Sequence, residues 1–248
     1  MGVSSCSMPQ TILQFERPLL RMGSISFLAG LIIVVVSTMF HASREDPNNH
    51  PLVFAEYANS DPWIAAHIGQ FAGGIVVFAG GFVALYRLLL QSESSTVSVL
   101  AQFGFAVAIV TASTLSILQA IDGIALKRAV DSWAVAPAEE KAAAFRVAEG
   151  IRWTEIGTNS IFRILQGTAA VIFGVAITKS TLLSKWIGGV GVFAGALTVA
   201  AGVEVAYIGF ASSHAGLGAV SMIIYFIWIG ILGAYMLRKT MSKTVTTI

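Results

Sequence analysis

The chain has 248 residues, of which 56% are hydrophobic and only 11% are charged, and its mean hydropathy is +0.79. A soluble domain carries about 25% charged residues, so this composition excludes an ordinary soluble protein. The net charge of +2 is spread along the chain and provides no basic patch for nucleic acid, while the single cysteine, Cys6, excludes an internal disulfide, a CxxC pair and a cysteine-rich metal site.

Six long apolar runs follow one another along the chain. Because each residue of a helix rises 1.5 Å and the hydrocarbon core is about 30 Å thick, such runs predict membrane-spanning helices. They do not alternate as the strands of a β-barrel do. They cover 22–40, 64–86, 97–121, 156–178, 186–210 and 219–236. This pattern predicts an all-α, six-helix bundle with tails at 1–21 and 237–248.

Basic residues are distributed unevenly between the two sides of the predicted bundle. The side that carries both termini contains Arg17, Arg21, Arg87, Lys179, Lys185, Arg238, Lys239 and Lys243. On the opposite side, the first loop at 41–63 has Arg44 against Glu45, Asp46, Glu56 and Asp61. The positive-inside rule therefore predicts cytoplasmic termini. The expected location is the plasma membrane. It also predicts an outer aromatic belt formed by Trp63, Trp153 and Tyr207.

Two longer connections are predicted on the outer side. The loop at 41–63 contains three prolines and is long enough to fold over the bundle as a cap. The connection at 122–155 is predicted to be helical, with a helix that restarts after Pro137. His50, which stands beside a proline in the first loop, is expected to be solvated.

A polar stripe runs along the fourth predicted span. Steps of three and four residues stay on one face of a helix, and they connect Glu149, Arg152, Glu155, Asn159, Arg163 and Gln166. Charge that faces lipid costs several kcal/mol, so the stripe is expected to face the bundle interior. Its alternating signs allow neighbouring members to pair at helical spacing.

Polar groups from five spans fall in one layer near the outer surface when depth is counted at 1.5 Å per residue. This coincidence predicts a pocket that opens outward and is partly covered by the first loop. Its predicted lining residues are His67, Gln70, Gln119, Asp122, Glu155, Asn159, Arg163 and Glu204. We expect Arg163 and Glu204 to pair directly or to share one bound ion, because a lone buried charge is costly. A purely structural role for this pair is equally consistent with the sequence.

Three functions are left open by these residues. The first is binding of a small ligand, a lipid headgroup or a metal, or docking of a partner subunit, including a second copy of the chain. The second is a membrane enzyme that uses zinc, copper or iron, which imidazole and carboxylate ligands suit. Its candidate ligands are His41, His67, His214 and Glu204, with Glu155 or Asp122 as acid or base. The third is a proton-coupled transporter of small solutes, which the apolar inner half disfavours.

Two stretches resemble proteins of a known group. They are "HIGQF" in the second span and the segment from Leu118 to Gly167, which begins "LQAIDGIALKR" and ends "FRILQG". Together with the first loop, they resemble a family of uncharacterised prokaryotic multi-pass integral membrane proteins of unknown function, across about two-thirds of the chain. The resemblance implies a bacterial or archaeal membrane protein, and it brings no activity, ligand or catalytic residue.

Overall fold

The computed structural model describes residues 10–42, 44–210 and 216–241, and in these ranges the chain forms helices and no strand. Six of the helices are long and apolar enough to cross a membrane, so the predicted all-α, multi-pass class is confirmed. One short helix lies in the first loop. The helices are α1 (Gln10–Thr38), α2 (His50–Ala58), α3 (Trp63–Leu89), α4 (Ser95–Val135), α5 (Lys141–Lys179), α6 (Lys185–Ile208) and α7 (Leu217–Met241).

Helices α4 and α5 are much longer than a bilayer requires. Their 41 and 39 residues correspond to about 60 Å of helix each, roughly twice the hydrocarbon thickness. Residues 122–155, expected as a separate helical connection, are mostly the end of α4 and the beginning of α5. These projecting parts and the first loop lie at the same end of the bundle, which we call the capped end.

The short helix α2 packs on the projecting parts of α4 and α5 through its own hydrophobic cluster. The members of this cluster are Val53, Phe54, Tyr57, Trp63, Leu126, Val130 and Ala148. Trp63 is completely buried in it, so its predicted place in the outer aromatic belt is wrong, whereas Trp153 and Tyr207 are exposed. His50, which was expected to be solvated, is also buried, with Nδ1 3.3 Å from Oε1 of Glu149.

Glycines allow neighbouring helices to approach each other closely. A Cβ atom at Gly195 of α6 would lie 2.5 Å from the carbonyl oxygen of Gly167 on α5, and one at Gly30 of α1 would lie 2.6 Å from that of Gly73 on α3. Small residues at such crossings are the usual means by which membrane helices gain contact area. The contact between Gly167 and Gly195 holds α5, which carries the polar stripe, against α6.

The direction of the bundle in the membrane is predicted only by the basic residues. We expect a cysteine introduced at Asn48, which is exposed at the capped end, to react with an impermeant thiol reagent in intact cells. Cys6, in the N-terminal tail, should stay unlabelled until the cells are permeabilised. Mass spectrometry of the purified protein reads both positions, and labelling of Cys6 alone in intact cells contradicts the predicted orientation.

Candidate functional site

Three potential metal ligands meet at the capped end. His41 lies just after α1, His67 lies near the beginning of α3, and Asp122 lies in the projecting part of α4. One ligand atom of each lies within 4.8 Å of the other two. His67 and Asp122 are 1% and 8% exposed. Two imidazoles and a carboxylate are thus brought together from three separate segments, which we call the ligand cluster.

The local structure of α4 sets the distance between His67 and Asp122. A π-helical turn, Ala120–Leu126, contains Asp122. Such turns are frequent at functional sites. The next residue is Gly123, where a Cβ atom would overlap the Cβ atom of His67, so only glycine allows α3 and α4 to come this close. Nε1 of Trp63 donates a hydrogen bond to the carbonyl oxygen of Asp122 at 3.1 Å, which holds the turn against α3.

The hydrogen bonding of His67 identifies which of its ring nitrogens has a free lone pair. Nδ1 lies 2.7 Å from the carbonyl oxygen of Trp63, and because a carbonyl only accepts, Nδ1 carries the hydrogen. When the ring is neutral, Nε2 carries a lone pair. Nε2 lies 3.0 Å from Oδ2 of Asp122. Two acceptors at this distance repel each other unless a proton or a metal ion lies between them. Neither Nε2 nor Oδ1 of Asp122 has a hydrogen-bond partner among the described residues.

His41 completes the ligand cluster beside these two groups. Its ring centroid lies 5.0 Å from that of His67 and 4.7 Å from that of Trp63. Burial lowers the pKa of the His41 imidazole. A neutral ring near pH 7 offers a lone pair, which is the form that binds a metal ion.

The chemistry of the ligand cluster fits a transition-metal ion. Zinc binds imidazole nitrogen and carboxylate oxygen at about 2.0–2.2 Å. Two such ligands on one ion lie about 3 Å apart or slightly more, close to the 3.0 Å between Nε2 of His67 and Oδ2 of Asp122. The Nδ1 hydrogen bond to a backbone carbonyl is the support that metal-binding histidines usually have. Imidazole and carboxylate also suit copper and non-haem iron.

A cavity of about 510 Å³ adjoins the ligand cluster. His41 and part of the first loop, from Arg44 to Pro47, contribute to its wall. The wall also contains Gln70, Gln119, Asp122, Glu155, Asn159, Arg163 and Glu204. His67 is the one predicted pocket residue that does not line the cavity, and it contacts the wall through Asp122.

The structure brings two of the four predicted metal ligands, His41 and His67, together. His41 and His67 join Asp122, which the sequence had suggested for the pocket wall or as an acid or base. Glu204 lies on α6, on the cavity wall but outside the ligand cluster. His214 lies outside the described residues. Spacing along the chain contained no signal for the ligand cluster, because its members are 26 and 55 residues apart.

Arg152 and Glu155 form a buried ion pair that the sequence suggested only as part of the polar stripe. Both are 2% exposed, and Nη1 of Arg152 donates to Oε2 of Glu155. Nη2 of Arg152 donates to the carbonyl oxygen of Pro47 at 3.0 Å. The guanidinium also lies over the rings of Tyr57 and Phe210, 5.5 and 4.9 Å from their centroids. Arg152 therefore joins α5 to the first loop, to α2 and to the segment after α6.

Arg163 has no carboxylate within 4.0 Å in the described part of the chain. The predicted direct ion pair with Glu204 is therefore not formed. Nε of Arg163 instead donates to Oδ1 of Asn159 at 2.7 Å, and Nη1 donates to the carbonyl oxygen of Gly218 at 3.3 Å. Asn159 is nearer because it stands four residues earlier on the same helix. The sharing of one bound ion by Arg163 and Glu204 stays a prediction.

Several buried polar atoms on the cavity wall lack a hydrogen-bond partner among the described residues. They are Oε1 of Gln119, Oδ1 of Asp122, Nε of Arg152 and the hydroxyl of Tyr225. An unpaired buried group costs about 1–3 kcal/mol, so such groups are nearly always paired with protein or ordered water. Their concentration on one wall indicates that the cavity accommodates water or a ligand.

A family model described as "Domain of unknown function (DUF4386)" matches residues 22–240. The matched range contains the ligand cluster and the whole cavity wall. No curated protein and no solved structure matches the chain.

Proposed function

We propose a function for this chain, which belongs to the DUF4386 family, from the chemistry of its capped end. The protein binds one transition-metal ion between His41, His67 and Asp122, and it accepts a small ligand in the adjoining cavity. The host membrane is proposed to be the plasma membrane of a bacterium or archaeon, with the capped end outside.

The contact between His67 and Asp122 is the observation that carries the proposal. Nε2 of His67 lies 3.0 Å from Oδ2 of Asp122. When the imidazole is neutral, its lone pair faces the carboxylate oxygen, and a cation between them removes the repulsion. A proton on Nε2 is the simplest alternative. Two facts favour a metal ion: Nε2 makes no hydrogen bond of ordinary geometry with Asp122, and a third donor, His41, lies within reach of both.

A metal-dependent membrane enzyme is the second candidate function. Catalytic zinc sites have three protein ligands and keep a further position for water or substrate, whereas structural sites are closed. His41 and Asp122 both line the cavity, so a position on the ion that is not taken by protein faces the space for a ligand. Glu155 lies on the same wall and is the candidate acid or base. Turnover of a bound ligand distinguishes this function from binding alone.

Metal analysis of the purified protein tests the proposal. Protein isolated from membranes without added metal should contain about one equivalent of zinc, copper or iron per chain by inductively coupled plasma mass spectrometry. After removal by a chelator, the same metal should bind again at about one equivalent. A metal-free preparation that also fails to bind zinc, copper and iron in titrations contradicts the proposal.

A further inference from the structure

The cavity changes in character along its length. On α7 it extends from Gly218 to Ile229, which at 1.5 Å per residue is about 16 Å along the bundle. The wall nearer the capped end carries the charged and amide groups described above. The deep wall is formed mainly by Leu31, Val77, Phe78, Leu115, Phe226 and Ile229. A cavity with one polar and one apolar end fits an amphipathic molecule.

Arg163 lies on the wall where the polar part gives way to the apolar part. Two of its five N–H groups donate to neutral oxygens, those of Asn159 and Gly218, and the other three have no partner within the described ranges. Glu204 lines the same cavity but is beyond ion-pair distance. A partly buried guanidinium that has unused donors and no carboxylate in contact, as far as the described part of the chain shows, is a strong site for a carboxylate or phosphate group.

Tyr225 provides a second, independent sign that the cavity is occupied. Its side chain is 3% exposed and lines the cavity below Arg163, and its hydroxyl faces the Gln166 amide on the same wall but makes no hydrogen bond of ordinary geometry with any described residue. A buried hydroxyl in a membrane protein without a partner is costly. A ligand or water in the cavity would satisfy it.

We propose that the cavity binds a single-chain amphiphile with an anionic headgroup, a carboxylate or a phosphate. The headgroup binds Arg163, and the chain runs between α1 and α7 toward Leu31 and Ile229. A volume of about 510 Å³ lies in the range for one drug-sized ligand, which suits one chain rather than a two-chain lipid. This inference rests on the proposed function, because it names the ligand of the same cavity.

Photo-crosslinking with a dodecanoate that carries a diazirine on its last carbon tests the inference. The full chain is reconstituted in nanodiscs of phosphatidylcholine, irradiated and mapped by peptide mass spectrometry. Adducts are expected near Leu31 and Ile229, inside the bundle. Unlabelled dodecanoate and dodecyl phosphate should compete, and their ranking distinguishes a fatty acid from a phosphate ester. Dodecanol, which has the same chain and no charge, should not compete.

Variants of the headgroup site make the test specific to charge. Arg163→Gln should weaken the labelling that unlabelled dodecanoate suppresses by at least about tenfold, since it removes a charged donor. Arg163→Lys should retain part of this labelling. Glu204→Gln should strengthen labelling, because it removes a negative charge from the same wall. If Arg163→Gln does not fold, Leu31→Trp keeps the headgroup site and shortens the apolar end, so octanoate should then compete better than dodecanoate.

Three outcomes overturn the inference: equal competition by dodecanol, adducts only on exposed positions such as Ile32 and Ile33, and unchanged labelling of Arg163→Gln. Metal content is measured on the same samples to separate this inference from the proposed metal site. Protein that neither contains nor rebinds zinc, copper or iron but still shows charge-dependent labelling refutes the metal site and leaves the amphiphile site standing. Metal-loaded protein without such labelling refutes the amphiphile alone.

Discussion

Replacing His67 with alanine should release the metal ion and weaken metal binding by about 100-fold or more. The substitution removes one of three protein ligands, and even residues that only support a ligand change affinity by about 10–100-fold. Metal content by mass spectrometry and affinity by titration calorimetry measure the effect. Glu204→Gln is the matched control, because Glu204 lies on the cavity wall but outside the ligand cluster. It should keep a full equivalent of metal.

Gly123→Ala extends the same experiment without removing a ligand. The added methyl group overlaps the Cβ atom of His67 and forces α3 and α4 apart at the ligand cluster. We expect an intermediate loss of affinity, about 10–100-fold, as for changes in the support of a ligand. Unchanged metal content in both His67→Ala and Gly123→Ala means that the ion is bound elsewhere, and it refutes the ligand cluster as the metal site.

Replacing Arg152 with methionine should destabilise the protein by about 3–5 kcal/mol, since it leaves Glu155 buried without its partner. Methionine preserves much of the apolar stem, so the loss reports mainly on charge. Arg152 also holds Pro47 and packs on the rings of Tyr57 and Phe210, and these contacts contribute to the loss. At about 2–4 °C per kcal/mol, the unfolding temperature should fall by roughly 10 °C. All variants are compared in one detergent at one scan rate, because membrane proteins often unfold irreversibly.

Two further variants show whether this effect comes from the buried pair. Arg152→Met combined with Glu155→Leu should recover most of the lost stability, because no lone charge is left. Arg146→Met changes a pair with Glu149 at the same spacing of three residues on the same helix, but the Arg146 side chain is 76% exposed. That change should lower the unfolding temperature much less than Arg152→Met does, because solvent screens an exposed pair. Similar losses of stability for Arg146→Met and Arg152→Met contradict the conclusion that the effect of Arg152→Met comes from the buried pair with Glu155.

Individual residues show where inference from the sequence succeeded and where it failed. The spacing of Asn159 and Arg163 was enough to put both on one face of α5, and they are hydrogen-bonded. Depth counting gave Arg163 and Glu204 a similar level, but it contains no information on the distance across the cavity, and the two are not paired. Trp63 is of a residue type that is common at membrane interfaces, yet α2 folds over it and buries it. Depth is a property of one helix, whereas contact depends on the packing of several.

The six membrane-crossing helices and the polar face of α5 were predictable from the amino-acid sequence, because length, apolarity and helical periodicity are local properties of the chain. The contact of His41, His67 and Asp122 is visible only in the folded structure. These residues come from three separate segments, and their contact depends on a π-helical turn in α4 and on the close approach that Gly123 permits. Neither feature has a periodic signature in the sequence. Such an arrangement depends on how all the segments of the capped end pack together, so it cannot be predicted from any one of them.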